Sequence, residues 1–286
     1  MPILDELARS LPLSIKGVGR RAVRPLDPLL IRNYRHRTGD TRPVPPVMLR
    51  LAIGAGTSID HYLSTGARAA AEVAAALRDT DHAIESGGKM LDLGCGCGRV
   101  AQALHEISPT LELHGCDIDA KAVEWANRHL PYEFKRNDFT PPLPYDDASF
   151  DVVLAMSVFT HLDEALQDAW LLEINRVLRP GGLAALSVGG TTTFNRVCQS
   201  GRSTNSRDCT ARLRSHTALA PEQFISEPYV RNWANADGMR GTSTGYGMTF
   251  HGAQYVRDHW AKWFEIEAIL PDAVNEGQDL VLGRPR

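Results

Sequence analysis

The sequence predicts an α/β protein with a mostly parallel sheet and helices on both of its faces. From residue 89 onward, short apolar runs alternate with amphipathic helical runs, which is the pattern of βαβ units. The first apolar run ends in Asp92 and is followed by Gly94, Gly96 and Gly98, with a helical run directly after them. Glycines so placed let the backbone turn tightly and approach a ligand, and the helix N-terminus offers free N–H groups. The segment is therefore predicted to be a nucleotide-type binding loop.

The periodicity also places the individual elements. Strands are predicted at 89–93, 111–117, 132–137, 150–156 and 183–189, and helices near 66–79, 98–107, 120–130, 161–178 and 252–263. Trp170 recurs with other apolar residues at helical spacing, which predicts that it lies in the core. The residues 179–182, RPGG, are expected to end the preceding helix.

Composition limits the classes of function. The chain has 286 residues, is 43% hydrophobic and 23% charged, and carries a formal net charge of −3. This balance is typical of a globular protein and gives no overall reason to expect nucleic acid, DNA included, or an anionic membrane as a partner. No run approaches the ~20 apolar residues that span a bilayer, so we expect no transmembrane segment and a cytoplasmic location.

The cysteines do not predict a disulfide framework. There are five of them, an odd number, in a chain without an evident export signal. Cys95 and Cys97 flank Gly96, but zinc sites favour a C-x2-C spacing and four converging ligands. We expect these cysteines to fill space in the crowded loop, and no metal is predicted.

Residues 1–60 form a basic, proline-interrupted extension ahead of the predicted domain at 61–286. After residue 15 its lysine and arginines face only Asp27 and Asp40 within the first 50 residues. Such a run predicts a solvated arm, with binding of an anionic acceptor or a peripheral membrane contact as the alternative. The segment 42–49, RPVPPVML, is expected to break any helix and to lead the chain onto the domain.

A glycine-rich loop alone does not identify its ligand. Asp117 ends the second predicted strand nineteen residues after Gly98, close to the spacing of an acid that binds a ribose. No GK[ST] follows the loop, which argues against a P-loop NTPase. An NAD-dependent oxidoreductase shares the loop and the acid, but it favours G-x-G-x-x-G and a second nucleotide-binding half.

At this point the chain resembles the class I S-adenosylmethionine (SAM)-dependent methyltransferases. Their first motif, a carboxylate followed by G-x-G-x-G, is matched by residues 92–98, and Asp117 stands where their ribose-binding acid stands. Three further segments match in order: Asn137-Asp138-Phe139, PPLPYDDASFDVVLAMS and RVLRPGGLAALSV. The resemblance covers 88–190 well and 251–286 more loosely. It implies a Rossmann-like, seven-stranded, mostly parallel sheet whose last strand is antiparallel, with FEIEAIL and DLVLGR as the last two strands.

The resemblance implies a SAM site and roles for its residues. The backbone at the glycines lies against the cofactor, while Asp92 orients the loop and helps to hold the amino end of the methionine part. Asp117 accepts from both ribose hydroxyls, Asp138 accepts from the adenine amine, and Phe139 or Ile118 flanks the ring. Arg99 either pairs with the methionine carboxylate or is an exposed first-turn residue. The full expected set is Asp92, Gly94, Cys95, Gly96, Gly98, Arg99, Asp117, Ile118, Asp138, Phe139 and Met156.

Two histidines are candidates for a general base. His161 lies in SVFTHL after the fourth strand, where this fold places residues that face the transferred methyl. The alternative is a capping box of Thr160 and Asp163 that leaves His161 as an ordinary first-turn residue. His251, together with Tyr246, lies in GYGMTFHGAQY and is expected at the acceptor, or it merely begins the last helix.

The function expected from the resemblance is methyl transfer from SAM to a small-molecule or glycan-like acceptor, at a hydroxyl oxygen. Residues 190–250, rich in Thr, Ser, Asn, Arg and Gly, are expected to be a structureless substrate-side insertion or lid. RNA is not expected, because the domain lacks an overall basic balance. A non-catalytic SAM-binding module and an NAD-dependent oxidoreductase are the alternative functions, and a homo-oligomer is left open.

Overall fold

The computed structural model describes residues 24–53, 55–78, 80–83, 88–200, 212–213, 215–229 and 245–286. Its helices are α1 Asp27–Thr38, α2 Val47–Ala52, α3 Ile59–Leu77, α4 Arg99–Ile107, α5 Ala120–His129, α6 Glu164–Val177, α7 Thr191–Ser200 and α8 Ala253–His259. Its strands are β1 Gly88–Leu93, β2 Leu111–Asp117, β3 Glu133–Arg136, β4 Phe150–Ala155, β5 Leu178–Val188, β6 Phe224–Pro228, β7 Gly247–His251, β8 Phe264–Val274 and β9 Gln278–Pro285. No helix in these ranges is both long and apolar enough to cross a membrane.

Seven of the strands form one twisted sheet in the order β3-β2-β1-β4-β5-β9-β8. The first five strands pair in parallel, whereas β9 is antiparallel to both β5 and β8. The predicted sheet, mostly parallel with an antiparallel last strand, is confirmed. In a parallel sheet the carboxyl ends of the strands share one edge, so the loops after β1, β2, β3 and β4 meet there.

Helices cover both faces of the sheet because its central strands are apolar on both sides. Met90 belongs to the core cluster beneath α3, α4 and α5, while its neighbour Leu91 belongs to the cluster beneath α6. Trp170 of α6 is buried in that second cluster, as its helical spacing predicts. The sheet is therefore buried on both sides, the arrangement expected of a doubly covered parallel sheet.

Helix α6 ends where the sequence predicts, but β5 begins earlier than expected. The helix ends at Val177, and the strand starts at Leu178 and runs through the RPGG segment. At the N-terminal end of α6 the predicted capping box is wrong, because Asp163 is the N-cap and its side chain accepts from Leu166 N. His161 and Thr160 therefore lie in the loop before the helix.

The segment 190–250 is more regular than expected. Its described residues include helix α7 and two strands, β6 and β7, which form a separate antiparallel pair. The GYGMTFHGAQY segment is thus mainly strand β7 rather than the approach to a helix. Local periodicity did not reveal β6 and β7, because both strands depend on pairing with each other and with the loop before α6.

The described part of the N-terminal extension is folded onto the domain. Asp27 and Arg50 are buried and form an ion pair of 2.7 Å between Oδ1 and Nη2. The other carboxylate oxygen of Asp27 accepts from Val47 N at 2.7 Å, which ties α1 to the start of α2. A solvated arm is therefore wrong for residues 24–53, while the part of the extension before residue 24 lies outside the described residues.

Candidate active site

The glycine loop after β1 is held by backbone hydrogen bonds to the end of β2. Both Gly94 N and Cys95 N donate to Cys116 O, at 2.8 and 3.0 Å, and Gly98 N closes the turn onto Cys95 O at 2.9 Å. Gly94, Gly96 and Gly98 have φ values of 77°, 55° and 68°. These left-handed values favour glycine because a side chain is strained there.

Close neighbours also require the glycines. A Cβ added to Gly94 would lie 2.6 Å from Val158 Cγ2, and one added to Gly96 would lie 2.9 Å from Ile53 Cγ2. Ile53 follows α2, so the N-terminal extension reaches the loop. Gly94 itself is exposed, although the rest of the loop is buried. The loop thus presents bare backbone to a ligand at Gly94.

Asp117 connects the end of β2 to the glycine loop. Its Oδ2 accepts from Gly96 N at 2.7 Å and its Oδ1 accepts from Asp119 N at 2.8 Å. Burial raises the pKa of this carboxyl, while the backbone N–H groups oppose the rise. Each carboxylate oxygen has lone pairs for more than one donor, so Asp117 can hold the loop and still accept from a ligand.

Asp92 carries a buried polar atom without a partner. Its Oδ2 is buried and accepts no hydrogen bond from any described residue. Burial, and then the negative charge of Asp117, raise the pKa of Asp92 to about 7, while Arg99 opposes the rise. Burying a carboxylate oxygen without a hydrogen-bond donor raises the free energy of the folded protein. A ligand that brings a donor or a cation to Asp92 would offset this cost.

Arg99 lies at the same end of the loop and is not the exposed first-turn residue of the alternative interpretation. Its side chain is half-buried, and Nη1 donates to Thr65 Oγ1 of α3 at 2.6 Å. Its aliphatic part passes Gly66, where an added Cβ would lie 2.6 Å from Arg99 Cγ. Burial lowers the pKa of Arg99, and the negative charge of Asp92 opposes this. The guanidinium is thus fixed beside the loop, as binding of a carboxylate requires.

Two neighbouring polar residues follow β3, and the structure buries the one that was not predicted to bind the cofactor. Asp138 is exposed, whereas Asn137 is buried and its Oδ1 has no partner among the described residues. The Asn137 amide nitrogen donates to Asp138 O at 2.8 Å. Asn137 is therefore the buried polar group at this edge. Its position in the Asn137-Asp138-Phe139 motif did not predict this role.

The apolar residues expected around the cofactor are spread over the same edge. Ile118 is half-buried directly after Asp117, and Met156, directly after β4, packs on the core cluster below α3. Phe139 packs edge-on against Tyr246, with ring centroids 6.3 Å apart. Phe139 and Tyr246, predicted from distant segments, are thus brought together.

The loop cysteines are part of the hydrophobic core. Cys95 and Cys97 are buried in the cluster beneath α3 to α5, and burial raises the pKa of both thiols. Cys95 therefore offers its backbone, and not its sulfur, to the loop surface. Within the described ranges no three His, Cys, Asp or Glu side chains converge as metal ligands would.

His161 stands in a cluster of aromatic rings at the carboxyl edge of the sheet. Its ring centroid lies 5.3 Å from that of Tyr246 and 6.1 Å from that of Tyr229. Burial, and then the negative charge of Asp117, raise the pKa of Tyr246 to about 12, so the phenol lies within the electrostatic reach of the acid at the end of β2. These rings, Phe139, His161, Tyr229 and Tyr246, are called here the aromatic cluster. The loop that carries His161 borders the glycine loop, because Val158, which accepts from His161 N, is the neighbour that a Cβ on Gly94 would meet.

The hydrogen bonds of His161 define its tautomer. Nδ1 lies 2.9 Å from Gly247 O, a carbonyl that can only accept, and 3.2 Å from Tyr229 Oη, a hydroxyl that can accept or donate. The shorter contact, to the carbonyl, assigns the proton to Nδ1. Nε2 makes no hydrogen bond to any described residue and holds the lone pair. Burial lowers the pKa of His161, with the Gly247 carbonyl opposing the change. The imidazole is therefore neutral at neutral pH and has a free acceptor nitrogen.

His251 does not share these properties. It is buried, its Nε2 lies 2.9 Å from Gln167 Oε1, and burial lowers its pKa to about 3. The same Gln167 donates to Phe159 O and Leu162 O, so the pair supports the loop that carries His161. The surroundings of His251 argue against a general base at the acceptor, because β7 turns this ring into the core next to Trp260.

Comparison with known proteins agrees with the site. Residues 90–182 match a family model described as a methyltransferase domain. The chain is 36% identical over 112 residues to 27-O-demethylrifamycin SV methyltransferase of Amycolatopsis mediterranei. This alignment covers 36% of this chain and 39% of that protein. The chain is 27% identical over 101 residues to a tRNA N(3)-methylcytidine methyltransferase of Schizosaccharomyces pombe, covering 32% of this chain and 41% of the relative.

Among solved structures, human N-acetylserotonin methyltransferase in complex with SAM matches with a TM-score of 0.49 and 16% identity, over 83% of this chain and 55% of that chain. The sheet order, the glycine loop and Asp117 define a nucleotide-binding α/β domain of the methyltransferase type. Residues 90–182 are thus similar to a methyltransferase domain, and the relatives they match include a SAM-dependent methyltransferase, a class whose cofactor is SAM. The alignments span about two fifths of the length of the curated relatives.

The residues present fit a bound SAM. The unpartnered Oδ2 of Asp92 suits the ammonium of the methionine part, and the fixed guanidinium of Arg99 suits its carboxylate. Asp117 suits the ribose hydroxyls, and the free Oδ1 of Asn137 suits an amine donor. A ligand with matching donors would satisfy these two unpartnered buried acceptors, one near the end of β1 and one just after β3.

Asp92→Asn is expected to stabilise the cofactor-free protein at pH 8 and to weaken SAM binding. The folded-state pKa of about 7 lies above the unfolded value, so the folded protein holds a proton that the unfolded chain releases between pH 4 and 7. Stability of the wild type therefore falls as pH rises through this window, by at most about 4 kcal/mol. Thermal unfolding from pH 4 to 8 should show this slope in the wild type and a flatter one in Asp92→Asn. Equal slopes in the two proteins would contradict the assignment.

Proposed function

We propose that this protein transfers a methyl group from SAM to a hydroxyl oxygen of a small-molecule or glycan-like acceptor, with His161 as general base. SAM supplies a methyl carbon that is electrophilic because it is bound to a sulfonium sulfur. The chain therefore needs no metal-bound nucleophile of its own. Its residues have to place the acceptor oxygen in line and take its proton.

The hydrogen bonding of His161 is the observation that carries the proposal. Its Nδ1 proton is fixed on Gly247 O, and its Nε2 lone pair is unused by the described residues. A base that is already neutral can accept a proton at neutral pH, and such a base contributes typically 10²–10⁴-fold to a rate. When Nε2 takes the proton, the Gly247 carbonyl stabilises the resulting imidazolium.

The aromatic cluster supports the positioning part of the reaction. Tyr229 Oη lies 3.2 Å from His161 Nδ1, and the backbone N–H of Tyr229 donates to Tyr246 O. The hairpin β6–β7 thus holds both tyrosines against the loop of His161. Rings in this arrangement exclude water and offer flat apolar surface to an acceptor, and orientation of the reactants can contribute about 7–11 kcal/mol.

RNA is the one alternative class of methyl acceptor that has specific support. A relative named as a tRNA N(3)-methylcytidine methyltransferase shows that an RNA acceptor is compatible with this kind of domain, so our expectation against RNA has no support from the comparisons. We nevertheless favour a hydroxyl oxygen, because the free Nε2 of His161 suits removal of a hydroxyl proton. RNA is included as an acceptor in the experiment below.

His161→Gln is expected to lower kcat for methyl transfer by about 10²-fold or more while leaving the Kd for SAM unchanged. Because the pKa of His161 lies below its usual value, the wild-type rate should rise with pH along an acid limb with its midpoint below 6.5. This limb should be absent in the variant. Transfer from methyl-labelled SAM is measured against a panel of hydroxylated small molecules, glycans and tRNA.

His259→Gln is the matched control, because His259 pairs with Asp168 on α6 and lies outside the aromatic cluster. It should keep both kcat and the acid limb. An unchanged kcat in His161→Gln would remove the general base and leave positioning alone. Transfer to tRNA without transfer to any hydroxylated small molecule or glycan would replace the proposed acceptor class. SAM binding without turnover on any member of the panel would favour a non-catalytic module.

A further inference from the structure

We propose that helices α1 and α2 form a docking face for an anionic lipid surface. The face, called here the basic apolar face, consists of Arg24, Leu26, Leu29, Arg32, Arg35 and Met48. The proposal does not rest on the proposed catalytic function, because it concerns a surface outside the aromatic cluster and the glycine loop.

Exposed apolar side chains are concentrated on this face. The described part of the chain exposes the large apolar side chains of Leu26, Leu29, Met48, Ile107 and Leu172. Leu26 and Leu29 are each 54% exposed and Met48 is 45% exposed. Three of these five exposed side chains thus lie within residues 24–52, which comprise a short 3-10 turn at 24–26, α1 and α2. A cluster of this kind on a folded surface marks an interaction site more often than scattered single residues do.

Buried contacts hold the two helices together and bring the chain positions of Leu26 and Met48 near each other. Asp27 Oδ2 accepts from Val47 N at 2.7 Å, and Leu26 and Met48 are the chain neighbours of these two residues. Arg50 adds its ion pair to Asp27 and a 2.7 Å bond to Pro45 O. The apolar side chains therefore stand on helices that are already folded against each other, so docking does not require the helices to order first.

The charge of the face is positive and uncompensated. Residues 24–53 contain six arginines and two aspartates, with no lysine or glutamate. Both aspartates are used internally, Asp27 by Arg50 and Asp40 by Arg42 at 2.6 Å. Arg24, Arg32 and Arg35 are exposed and form no ion pair with any carboxylate in the described ranges. The sequence immediately before them adds Lys16, Arg20 and Arg21.

Exposed leucine and methionine among unpaired arginines are complementary to a membrane interface. Apolar side chains enter the boundary between headgroups and acyl chains, while the cations bind anionic headgroups. A protein surface that binds single-stranded nucleic acid presents aromatic rings on which bases stack. Tyr34, the tyrosine of α1, is buried and cannot serve in this way. A second copy of this chain would bring the same positive charge against itself.

The face lies close to the cofactor loop. Helix α2 has six residues, a length of about 9 Å, and Ile53 at its end packs at Gly96. Docking through this face would hold the glycine loop near the membrane surface, within reach of an acceptor that partitions into the interface.

The test is flotation of the full chain with vesicles of phosphatidylcholine alone and of phosphatidylcholine with roughly a third phosphatidylglycerol. We expect binding to the anionic vesicles only, with a loss as salt is raised. The triple variant L26S/L29S/M48S should lower the partition more than tenfold, whereas Leu172→Ser, an equally exposed site on α6, should not change it. Charge reversal at Arg24 and Arg32 should lower it about fivefold or more for each residue, and Arg128→Glu on α5 is the matched control.

Thermal unfolding and SAM binding should be unchanged in the surface variants, which separates a lost contact from lost folding. Equal binding to neutral and anionic vesicles, or binding that survives the triple variant, would overturn the proposal. Wild-type self-association that the triple variant abolishes, without vesicle binding, would assign the face to a second copy. Binding to RNA in place of vesicles would assign it to nucleic acid, and either outcome would overturn the lipid assignment.

Discussion

Asp117→Ala is expected to weaken SAM binding about 100-fold or more. The carboxylate accepts from Gly96 N and Asp119 N, and so fixes the glycine loop before any ligand arrives. Its remaining lone pairs are the acceptors proposed for two ribose hydroxyls. Each hydrogen bond to a charged group contributes about 1.5–3 kcal/mol, so losing two of them accounts for an effect of this size. Calorimetric titration with SAM measures it.

Asp119→Ala is the matched control for this prediction. Asp119 lies two residues further along the chain and caps α5, where its side chain accepts from Lys121 N and Ala122 N. Losing this cap should cost about 1 kcal/mol of folding free energy and leave the SAM affinity within a few-fold of the wild type. An Asp117→Ala protein that binds SAM as tightly as Asp119→Ala would contradict the role of Asp117.

Arg50→Ala is expected to lower the free energy of unfolding by about 3–5 kcal/mol. Arg50 is completely buried, and its guanidinium bonds to Asp27 Oδ1, Pro45 O and Thr57 O. Its removal leaves the Asp27 carboxylate buried without a cation and removes the hydrogen bonds that Arg50 donates to the two carbonyls. Because α1 and α2 can open locally, amide hydrogen exchange over residues 27–53 should be measured together with chemical denaturation.

Two further variants test the reason for this loss. Arg42→Ala breaks a pair with Asp40 that is partly open to solvent and should cost less than about 1 kcal/mol. The double variant D27N/R50M removes both charges and keeps an oxygen that can accept from Val47 N, so it should recover much of the stability. If the double variant is less stable than Arg50→Ala, an uncompensated carboxylate is not the cause.

Elements with a strong local period were predictable from the sequence. Strands β1, β2 and β4 are short and mostly buried, and α6 shows its buried stripe, so their positions follow from the hydrophobic pattern. The glycine loop was also predictable from the sequence. Each of Gly94, Gly96 and Gly98 adopts a left-handed φ that disfavours other residues, so a loop of this shape needs glycine at these positions. Asp117 followed from its distance along the chain, which a β-turn-α-β unit fixes geometrically.

Contacts between distant residues could not be read from local patterns. Arg50 looked like one cation of a solvated run, but its partner Asp27 lies 23 residues away and is buried with it. Strands β6 and β7 have five residues each, too few for a clear period, and they pair across a long separation in sequence. The sequence favoured His251 and Tyr246 together, yet alternation along β7 directs His251 into the core.

The tautomer, pKa and burial of the site residues also could not be predicted from the sequence. The tautomer of His161 depends on the carbonyl of Gly247, 86 residues further along the chain. The high pKa of Asp92 depends on its burial beside Asp117, which only the folded loop creates. Asn137 gained its role because it is buried, while the neighbouring Asp138 is exposed.

The most direct test of the central claim is calorimetric titration of the wild-type chain with SAM, its demethylated product S-adenosylhomocysteine, and NAD. The account predicts that one molecule of SAM or S-adenosylhomocysteine binds per chain and that NAD gives no binding heat. Binding of NAD alone would indicate the oxidoreductase alternative. An absence of binding for both SAM and S-adenosylhomocysteine would contradict the account.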